Sequence, residues 1–194
     1  MGIGLKLSLN AIKAGIEKVR FVPGRLEPIP NATGRFVYVD YAHTPDALEN
    51  VLTSLKSLLT AKIICVFGCG GDRDTDKRPQ MGEIAGRLCD LTIITSDNPR
   101  TEPPMGIIDQ VLHGVKKVAA FEYAASDLSN GFKKKGYVLE PDRKKAIALG
   151  VMASRPGDTV LIAGKGHETY QIIGNKTIPF DDRVEAKRAL AKSK

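Results

Sequence analysis

The chain is organised around the stretch Leu91-Thr-Ile-Ile-Thr-Ser-Asp-Asn-Pro-Arg100, a short apolar run that stops abruptly in polar residues. An apolar run of this length, bounded by turn residues, is typical of a buried strand. Pro99 fixes its own φ and biases Asn98 towards extended conformations, so the loop after the strand is predicted to be stiff. Ligands of open α/β sheets bind outside the carboxyl ends of the strands. The stretch therefore indicates either a binding loop with Asp97, Asn98 and Arg100 or a capping turn before the next helix.

The same succession of strand and helix recurs along the chain. Residues 35–40, 62–67 and 159–163 form further strand-like runs, and each ends in polar residues or glycine. Apolar side chains at helical spacing lie between the runs. Repeated alternation of strands and helices predicts a three-layer α/β fold with a doubly wound, mostly parallel sheet.

Cap and turn residues mark where these elements begin and end. Thr44 is predicted to be the N-cap of a helix with Pro45 at its first position, and Asp142 is predicted to cap a later helix. Residues 170–180 turn at Gly174-Asn175, which predicts an antiparallel hairpin. We expect this hairpin to lie at the edge of the sheet.

Two regions do not fit the alternation. Residues 1–33 contain one helical face followed by a linker rich in proline and glycine, and a single helix buries little by itself. We therefore expect them to be the tail of something that precedes this domain. Residues 118–136 show no convincing period and are predicted to form a surface excursion.

The composition limits the function classes. The net charge of +7 suggests acidic partners such as nucleotides or phosphorylated metabolites, or simply a lysine-rich surface. Aromatic residues make up only 6% and tryptophan is absent, which argues against a stacking platform for single-stranded nucleic acid. The three cysteines form no CxxC pair, so we expect buried, reduced thiols and no zinc site. No apolar run reaches transmembrane length, and we expect a cytoplasmic protein.

Polar loops follow four of the predicted strands. They span residues 40–43, 70–74, 97–100 and 164–168. If the strands are parallel, their carboxyl ends share one edge of the sheet, and the four loops converge there. This convergence is the strongest indication of a binding site that the residues provide.

The loops suit a ligand with several charged groups. Arg73 and Arg100 offer guanidinium groups, which bind carboxylates bidentately. Asp97 and Glu168 can hold an ammonium group, and the amide of Asn98 can serve either charge. The set suits an amino acid with more than one charged end.

Standard phosphate-binding loops are missing from these 194 residues. Arg73 stands where a dinucleotide fingerprint needs its third glycine, and Gly164-Lys-Gly-His167 lacks the spacing of a P-loop. Asp40 can accept hydrogen bonds from a pair of ribose hydroxyls, and His43 can contact a base or a phosphate. Asp40 could equally well be an acidic residue of a turn, and His43 could equally well be a residue at the start of the helix.

Six motifs of the chain together resemble the Mur ligases, and they cover nearly the whole sequence in order. They are Val22-Pro-Gly-Arg-Leu-Glu, Val39-Asp-Tyr-Ala-His-Thr-Pro-Asp-Ala-Leu, Phe67-Gly-Cys-Gly-Gly-Asp-Arg-Asp, Lys77-Arg-Pro-Gln-Met-Gly, Asp97-Asn-Pro-Arg and Ala163-Gly-Lys-Gly-His-Glu. The resemblance is to those members that add meso-diaminopimelate to UDP-N-acetylmuramoyl-L-alanyl-D-glutamate in peptidoglycan precursor synthesis. Residues 118–136 look longer than the corresponding segment of the family.

The resemblance implies an enzyme of three domains. Residues 34–194 would be its Rossmann-like C-terminal domain, and residues 1–33 would be the tail of the central ATPase domain with a linker. The phosphate loop, the magnesium ligands and the catalytic lysine would lie upstream, so no catalytic or metal-binding residue is expected in this chain.

The resemblance also implies roles for individual residues. ATP would activate the γ-carboxyl of D-glutamate as an acyl phosphate, which an amine of the incoming amino acid attacks. Arg100 would select diaminopimelate over lysine, because the two differ by one carboxylate and a site built for a charge rejects the analogue without it. ATP, Mg²⁺ and UDP-MurNAc-dipeptide would be the other ligands of a monomeric enzyme without nucleic-acid or membrane partners. Meso-diaminopimelate is expected to bind Arg73, Asp97, Asn98, Pro99, Arg100, Gly164 and Glu168, and ATP is expected to bind Arg25, Asp40 and His43.

Three alternatives stay open from the sequence. A related ligase could add lysine or another amino acid through the same loops. A stand-alone, non-catalytic module could bind an amino acid or a nucleotide, which would account for the missing phosphate loop. Nucleic-acid binding would explain the positive charge and would predict strongly salt-dependent affinity.

Overall fold

A computed structural model describes residues 4–19, 21–58, 61–119 and 121–193. Strands and helices alternate through this part of the chain. The strands are β1 (Glu27–Pro28), β2 (Phe36–Asp40), β3 (Ile63–Phe67), β4 (Leu91–Ile94), β5 (Phe121–Glu122), β6 (Gly136–Leu139), β7 (Thr159–Ala163), β8 (Tyr170–Ile173) and β9 (Lys176–Pro179). The helices are α1 (Leu9–Lys18), α2 (Pro45–Leu58), α3 (Lys77–Leu88), α4 (Pro104–Val115), α5 (Arg143–Ala153) and α6 (Asp182–Lys192), with a 3₁₀ helix at Ala125–Asn130.

The main sheet has the order β1-β2-β7-β3-β4-β6-β5. Every neighbouring pair in it is parallel except β1 and β2, which are antiparallel. The carboxyl ends of β2, β7, β3 and β4 therefore meet at one edge. This topology confirms the predicted doubly wound, mostly parallel sheet.

Helices cover both faces of the sheet, so the fold has three layers. In β3, Ile63, Cys65 and Phe67 pack with α2, α3 and α4 on one face. Ile64 and Val66 pack with α5 and α6 on the other. Because both faces are buried, the central strands are apolar throughout, and this is why they read as continuous hydrophobic runs in the sequence.

The predicted helix starts are confirmed at the level of individual hydrogen bonds. The Thr44 hydroxyl oxygen accepts from the backbone N–H of Ala47 at 3.3 Å. A carboxylate oxygen of Asp142 accepts from the backbone N–H of Lys144 at 3.0 Å. Each cap fixes where a helix leaves the loop before it.

The predicted hairpin forms, but it is not part of the main sheet. Strands β8 and β9 make a two-stranded antiparallel sheet of their own, with Gly174 at a φ of +58° in the turn. The backbone N–H of Arg100 donates to the carbonyl of Ile172 at 3.1 Å, and that of Gly174 donates to the carbonyl of Arg100 at 2.7 Å. These bonds hold the hairpin against the loop after β4. The antiparallel edge of the main sheet is β1 instead.

The prediction of a surface excursion over residues 118–136 holds for most of the described side chains there, which are exposed, but the segment is also anchored in the fold. Strand β5 extends the sheet beyond β6, and Leu128 and Phe132 are buried in the core below α5. Isolated apolar anchors separated by loop residues produce no helical or strand period, so sequence periodicity missed them.

Among the described residues before position 34, there is one exposed helix, α1, and one strand of the sheet, β1. No residue of α1 is buried, whereas Ile29, just after β1, is in the core. Within the described residues, no helix has the length and apolar character needed to span a membrane.

Candidate functional site

The loops at the carboxyl ends of β2, β3, β4 and β7 surround one cavity of about 470 Å³. A larger cavity, of about 620 Å³, lies between residues 30–35 and α6, away from these loops. The polar cavity is the candidate site because the predicted charged groups converge on it. The predicted residues that line it are His43, Arg73, Asp97, Asn98, Arg100, Gly164 and Glu168.

Close backbone packing joins the loops after β3 and β4. A Cβ atom on Gly68 would lie 2.1 Å from the carbonyl oxygen of Thr95, and one on Gly71 would lie 1.9 Å from that of Pro99. The backbone N–H of Gly71 also donates to the carbonyl of Asn98 at 2.9 Å. The loops after β3 and β4 can therefore pack this closely only because Gly68 and Gly71 have no side chain.

Replacement of Gly71 by alanine is expected to destabilise the chain by about 1–3 kcal/mol, the usual cost of overpacking. The Cβ would push the loop after β3 off the carbonyl of Pro99. Urea denaturation measures the effect. Gly106→Ala is the matched control: this exposed position in α4 has open space around a Cβ, and alanine should stabilise it by roughly 0.5–1 kcal/mol. Equal effects at the two sites would contradict the proposed loop contact.

An ion pair between the buried Arg78 and Glu102 holds the loop after β3 in place. The guanidinium of Arg78 donates to both carboxylate oxygens of Glu102 at 2.8 Å and to the carbonyl of Gly70 at 3.1 Å. Glu102 also accepts from the backbone N–H of Asp72 at 2.6 Å. The hydrogen bonds from Arg78, then that from Asp72, lower the pKa of Glu102 to about 2. Sequence reasoning missed this ion pair, although Arg78 lies inside one of the quoted motifs.

The two predicted guanidinium groups are held differently. Arg100 has a φ of +51°, and its backbone is fixed by the hairpin. Its Nη1 donates to the carbonyl of Gly71 at 2.7 Å, so the side chain is drawn across the cavity wall. Arg73 is exposed, and its Nη1 donates to the carbonyl of Asp72 at 3.3 Å. One guanidinium is thus preorganised, and the other sits on the rim.

The acidic side of the cavity is built around a lysine that sequence reasoning did not single out. Lys165 is fully buried, and its Nζ lies 3.2 Å from Oδ1 of Asp97 and 3.5 Å from Oε2 of Glu168. It donates to Oδ1 of Asn98 at 2.8 Å. The Nδ2 of Asn98 donates in turn to Glu168 at 3.0 Å. Oδ1 of Asp97 is buried and near enough for an ion pair, but it is not aligned for a hydrogen bond.

Of the residues predicted to bind a nucleotide, His43 lines the cavity, whereas Arg25 and Asp40 are not among its lining residues. Both carboxylate oxygens of Asp40 accept backbone N–H groups, from Leu26 at 2.6 Å and from Ala42 at 2.8 Å. The guanidinium of Arg25 lies 4.9 Å from the ring centre of Tyr41, which also packs against His43. Of the predicted nucleotide set, His43 lines the cavity and Asp40 fixes the turn at Leu26.

Pro99 faces away from the other predicted residues. It lines a separate cavity of about 440 Å³ behind the loop, together with Gln171 and Phe180. The ring of Pro99 restricts the backbone of the loop. Gln171, which lines the same cavity as Pro99, donates to the carbonyl of Asp97 at 2.7 Å.

A third missed residue, Arg143, anchors two of the strand ends. Its guanidinium forms a bidentate pair with Asp182 at 2.8 and 2.7 Å, and both side chains are fully buried. It also donates to the carbonyl of Ala163 at 3.0 Å and to that of Ser96 at 3.4 Å. These carbonyls lie where the loops after β7 and β4 begin, so Arg143 ties both loops to α5 and α6.

Comparison with known proteins decides the family. The family described as "Mur ligase, glutamate ligase domain" matches residues 24–166. The chain belongs to the Mur ligase family. The fold and the polar loops described above are thus those of a Mur ligase domain.

Individual Mur ligases are similar over nearly the whole chain. The UDP-N-acetylmuramoyl-L-alanyl-D-glutamate–2,6-diaminopimelate ligase of Geobacter sulfurreducens is 55% identical over 192 residues, which are 99% of this chain and 38% of that ligase. The same ligase of Geobacter metallireducens is 54% identical over 188 residues, or 97% of this chain and 37% of its own. The chain therefore spans little more than a third of the length of these relatives.

Solved structures agree with the assignment. A structure of a UDP-N-acetylmuramoyl-L-alanyl-D-glutamate–2,6-diaminopimelate ligase superposes with a TM-score of 0.71 at 38% identity, covering 97% of this chain and 35% of that one. The UDP-N-acetylmuramate–alanine ligase of Thermotoga maritima has a TM-score of 0.62 at 17% identity, covering 98% of this chain and 33% of that one, and shares the fold.

Proposed function

We propose that this chain is the amino-acid-binding domain of a ligase that joins meso-diaminopimelate to UDP-N-acetylmuramoyl-L-alanyl-D-glutamate. The observation that carries the proposal is one cavity on which the guanidinium groups of Arg73 and Arg100 converge with the carboxylates of Asp97 and Glu168. The relatives at 54% and 55% identity bear the name of this activity, which supports the proposal.

The charges of the cavity match those of meso-diaminopimelate. Arg73 and Arg100 would bind its carboxylates, since a guanidinium recognises a carboxylate through two parallel hydrogen bonds. Asp97 and Glu168 would hold the ammonium group that does not react, with Asn98 bridging the two sides. Gly164, at a φ of +115°, would let the backbone come close to the ligand. The amine that reacts must be neutral, and it would point towards the open mouth of the cavity.

ATP would be shared with a part of the protein outside this chain. Tyr41, with the guanidinium of Arg25 over its ring and the imidazole of His43 at its edge, offers an aromatic surface and a cation at the cavity, which fits a nucleotide. Asp40 would order the turn that carries Arg25 and stay close to the ribose. ATP would supply the phosphoryl group that activates the carboxyl of D-glutamate, and the Mg²⁺ ligands would lie upstream.

The organisation of the whole protein is also part of the proposal. Residues 1–33 would be the tail of a central ATPase domain with its linker, and residues 34–194 would be the C-terminal domain. The exposed apolar side chains of α1, among them Leu9 and Ile16, support this view, because such a face needs a covering surface. We propose that the enzyme works as a monomer in the cytoplasm.

Nuclear magnetic resonance titration of the chain tests the proposed function. We expect meso-diaminopimelate to shift the backbone amide signals of residues 97–100 and 164–168, with at least tenfold higher affinity than L-lysine. Such a ratio is within what one matched or unmatched charged group supplies. Equal affinities for the two amino acids would instead favour a related ligase with a different amino acid. Binding outside the cavity would contradict the assignment of the site.

A further inference from the structure

Lys165 is a buried charge to which the proposed function gives no role. It lies in the loop after β7, between Gly164 and Gly166, and none of its surface is exposed. Burying an ammonium group costs several kcal/mol unless it is paired and hydrogen-bonded. Its partners are the carboxylates of Asp97 and Glu168, which are two of the residues that would bind the amino acid.

The lysine is also fixed in place by uncharged acceptors. Its Nζ donates to Oδ1 of Asn98 at 2.8 Å and to the carbonyl of Tyr170 at 3.0 Å. The same Oδ1 accepts from the backbone N–H of Ile172 at 3.0 Å. The ammonium group is thus held between the loop after β4, the loop after β7 and the hairpin, and it cannot leave the cavity wall without breaking these bonds.

We propose that Lys165 is a specificity-determining residue that sets the net charge of the amino-acid site. This inference rests on the proposed function. The cavity is lined by three cations, Arg73, Lys77 and Arg100, and by three carboxylates, Asp74, Asp97 and Glu168. Lys165 lies within ion-pair distance of two of these carboxylates and is the fourth cation, so the site keeps one surplus positive charge. Meso-diaminopimelate differs from lysine by one additional carboxylate. A surplus positive charge therefore favours diaminopimelate over lysine, beyond the direct contact that Arg100 provides.

The role differs from simple structural support in one measurable way. If Lys165 only holds the loops, its loss weakens the binding of every amino acid by a similar factor. If it sets the charge, its loss lowers the affinity for diaminopimelate relative to lysine. The ratio of the two dissociation constants separates the two roles.

The test uses Lys165→Met, which keeps the length of the side chain and removes its charge. We expect the preference for meso-diaminopimelate over L-lysine to fall at least tenfold, because a unit charge about 10 Å away in a medium with an effective dielectric constant of about 20 changes an affinity by about that factor. Lys135→Met is the matched control. Lys135 lies just before β6, at the other end of the sheet, and its Nζ donates to the carbonyl of Arg87. Removal of this charge should leave the preference unchanged.

A double variant separates the effect of the net charge from the effect of losing the lysine side chain. Lys165→Met leaves two carboxylates near each other without their cation, whereas Lys165→Met combined with Glu168→Gln removes one charge of each sign. The double variant restores the original net charge of the site, so the preference should return to within about threefold of the wild-type value if charge is what matters. A preference that stays low in the double variant would overturn the inference.

Failure of this inference is distinguishable from failure of the proposed function. A wild-type chain without preference for meso-diaminopimelate would contradict the proposed function itself. A wild-type preference that Lys165→Met leaves unchanged, or equal losses for both ligands, would overturn only the role of Lys165.

Discussion

Replacement of Arg100 by alanine is expected to weaken the binding of meso-diaminopimelate by about 100-fold, because removing one partner of a desolvated, hydrogen-bonded charge pair costs roughly 2–5 kcal/mol. The binding of L-lysine is expected to change by less than about threefold, since lysine has no second carboxylate for this guanidinium to bind. Titration of the chain with each amino acid, followed by magnetic resonance, measures both affinities.

The structure explains why this substitution should act on the ligand and spare the loop. The backbone of Arg100 is tied to the hairpin through Ile172 and Gly174, and these two bonds do not involve the side chain. Alanine loses the contact from Nη1 to the carbonyl of Gly71, but the backbone N–H of Gly71 still donates to Asn98. The loops after β3 and β4 should therefore stay together in the variant.

Two further variants make the Arg100 experiment decisive. Arg100→Lys keeps the charge but loses the planar fork, and we expect it to recover only part of the affinity. Arg155→Ala removes an exposed arginine just before β7, at the opposite end of the sheet, and should leave both affinities unchanged. If Arg100→Ala weakened diaminopimelate and lysine equally, the selective role of this residue would be contradicted.

Replacement of Arg143 by methionine is expected to lower the free energy of unfolding by about 3–5 kcal/mol, the usual cost of leaving one member of a buried ion pair alone. Asp182 would keep a carboxylate that is fully shielded from water, and the carbonyls of Ala163 and Ser96 would lose a donor. For a domain of this size the melting temperature should fall by roughly 10 °C, at about 2–4 °C per kcal/mol.

Two comparisons separate the ion pair from a general effect of losing an arginine. Arg143→Met combined with Asp182→Leu should recover much of the stability, because an apolar pair often replaces a buried ion pair at little cost. Arg87→Met breaks an ion pair with Glu49 whose side chains are 50% and 44% exposed, and it should cost less than about 1 kcal/mol. Urea denaturation measures all of these variants. A loss from Arg143→Met no greater than that from Arg87→Met would contradict the role of Arg143 as the anchor of the loops.

The strands and their polar ends could be predicted because their signals are local. The apolar run at residues 159–163 predicts strand β7 residue for residue, and Asp97, Asn98 and Arg100 follow the end of β4 as the sequence predicts. Burial of both faces makes a strand continuously apolar, and a chain leaving the sheet becomes polar where the core ends. These features depend only on near neighbours in the sequence.

The attachment of the hairpin and the burial around residues 118–136 could not be predicted in the same way. No local pattern in residues 170–180 predicts that they pair with the loop at Arg100, which lies about 70 residues earlier in the chain. Leu128 and Phe132 are single apolar anchors, whose burial is decided by the space below α5. The nucleotide roles of Arg25, Asp40 and His43 stay predictions.

Local patterns of residues are enough to predict the α/β fold, the ends of the strands and the charged groups that meet at the carboxyl edge of the sheet. Which cations are buried, and which groups they bind, depends on contacts that form only when the domain has folded. Lysine and arginine are usually exposed, so no local pattern marks Lys165, Arg78 or Arg143 as part of the interior. Their partners lie 67, 24 and 39 residues away, in Asn98, Glu102 and Asp182. A charge can be buried only where folding brings such partners to it, and that is a property of the assembled domain.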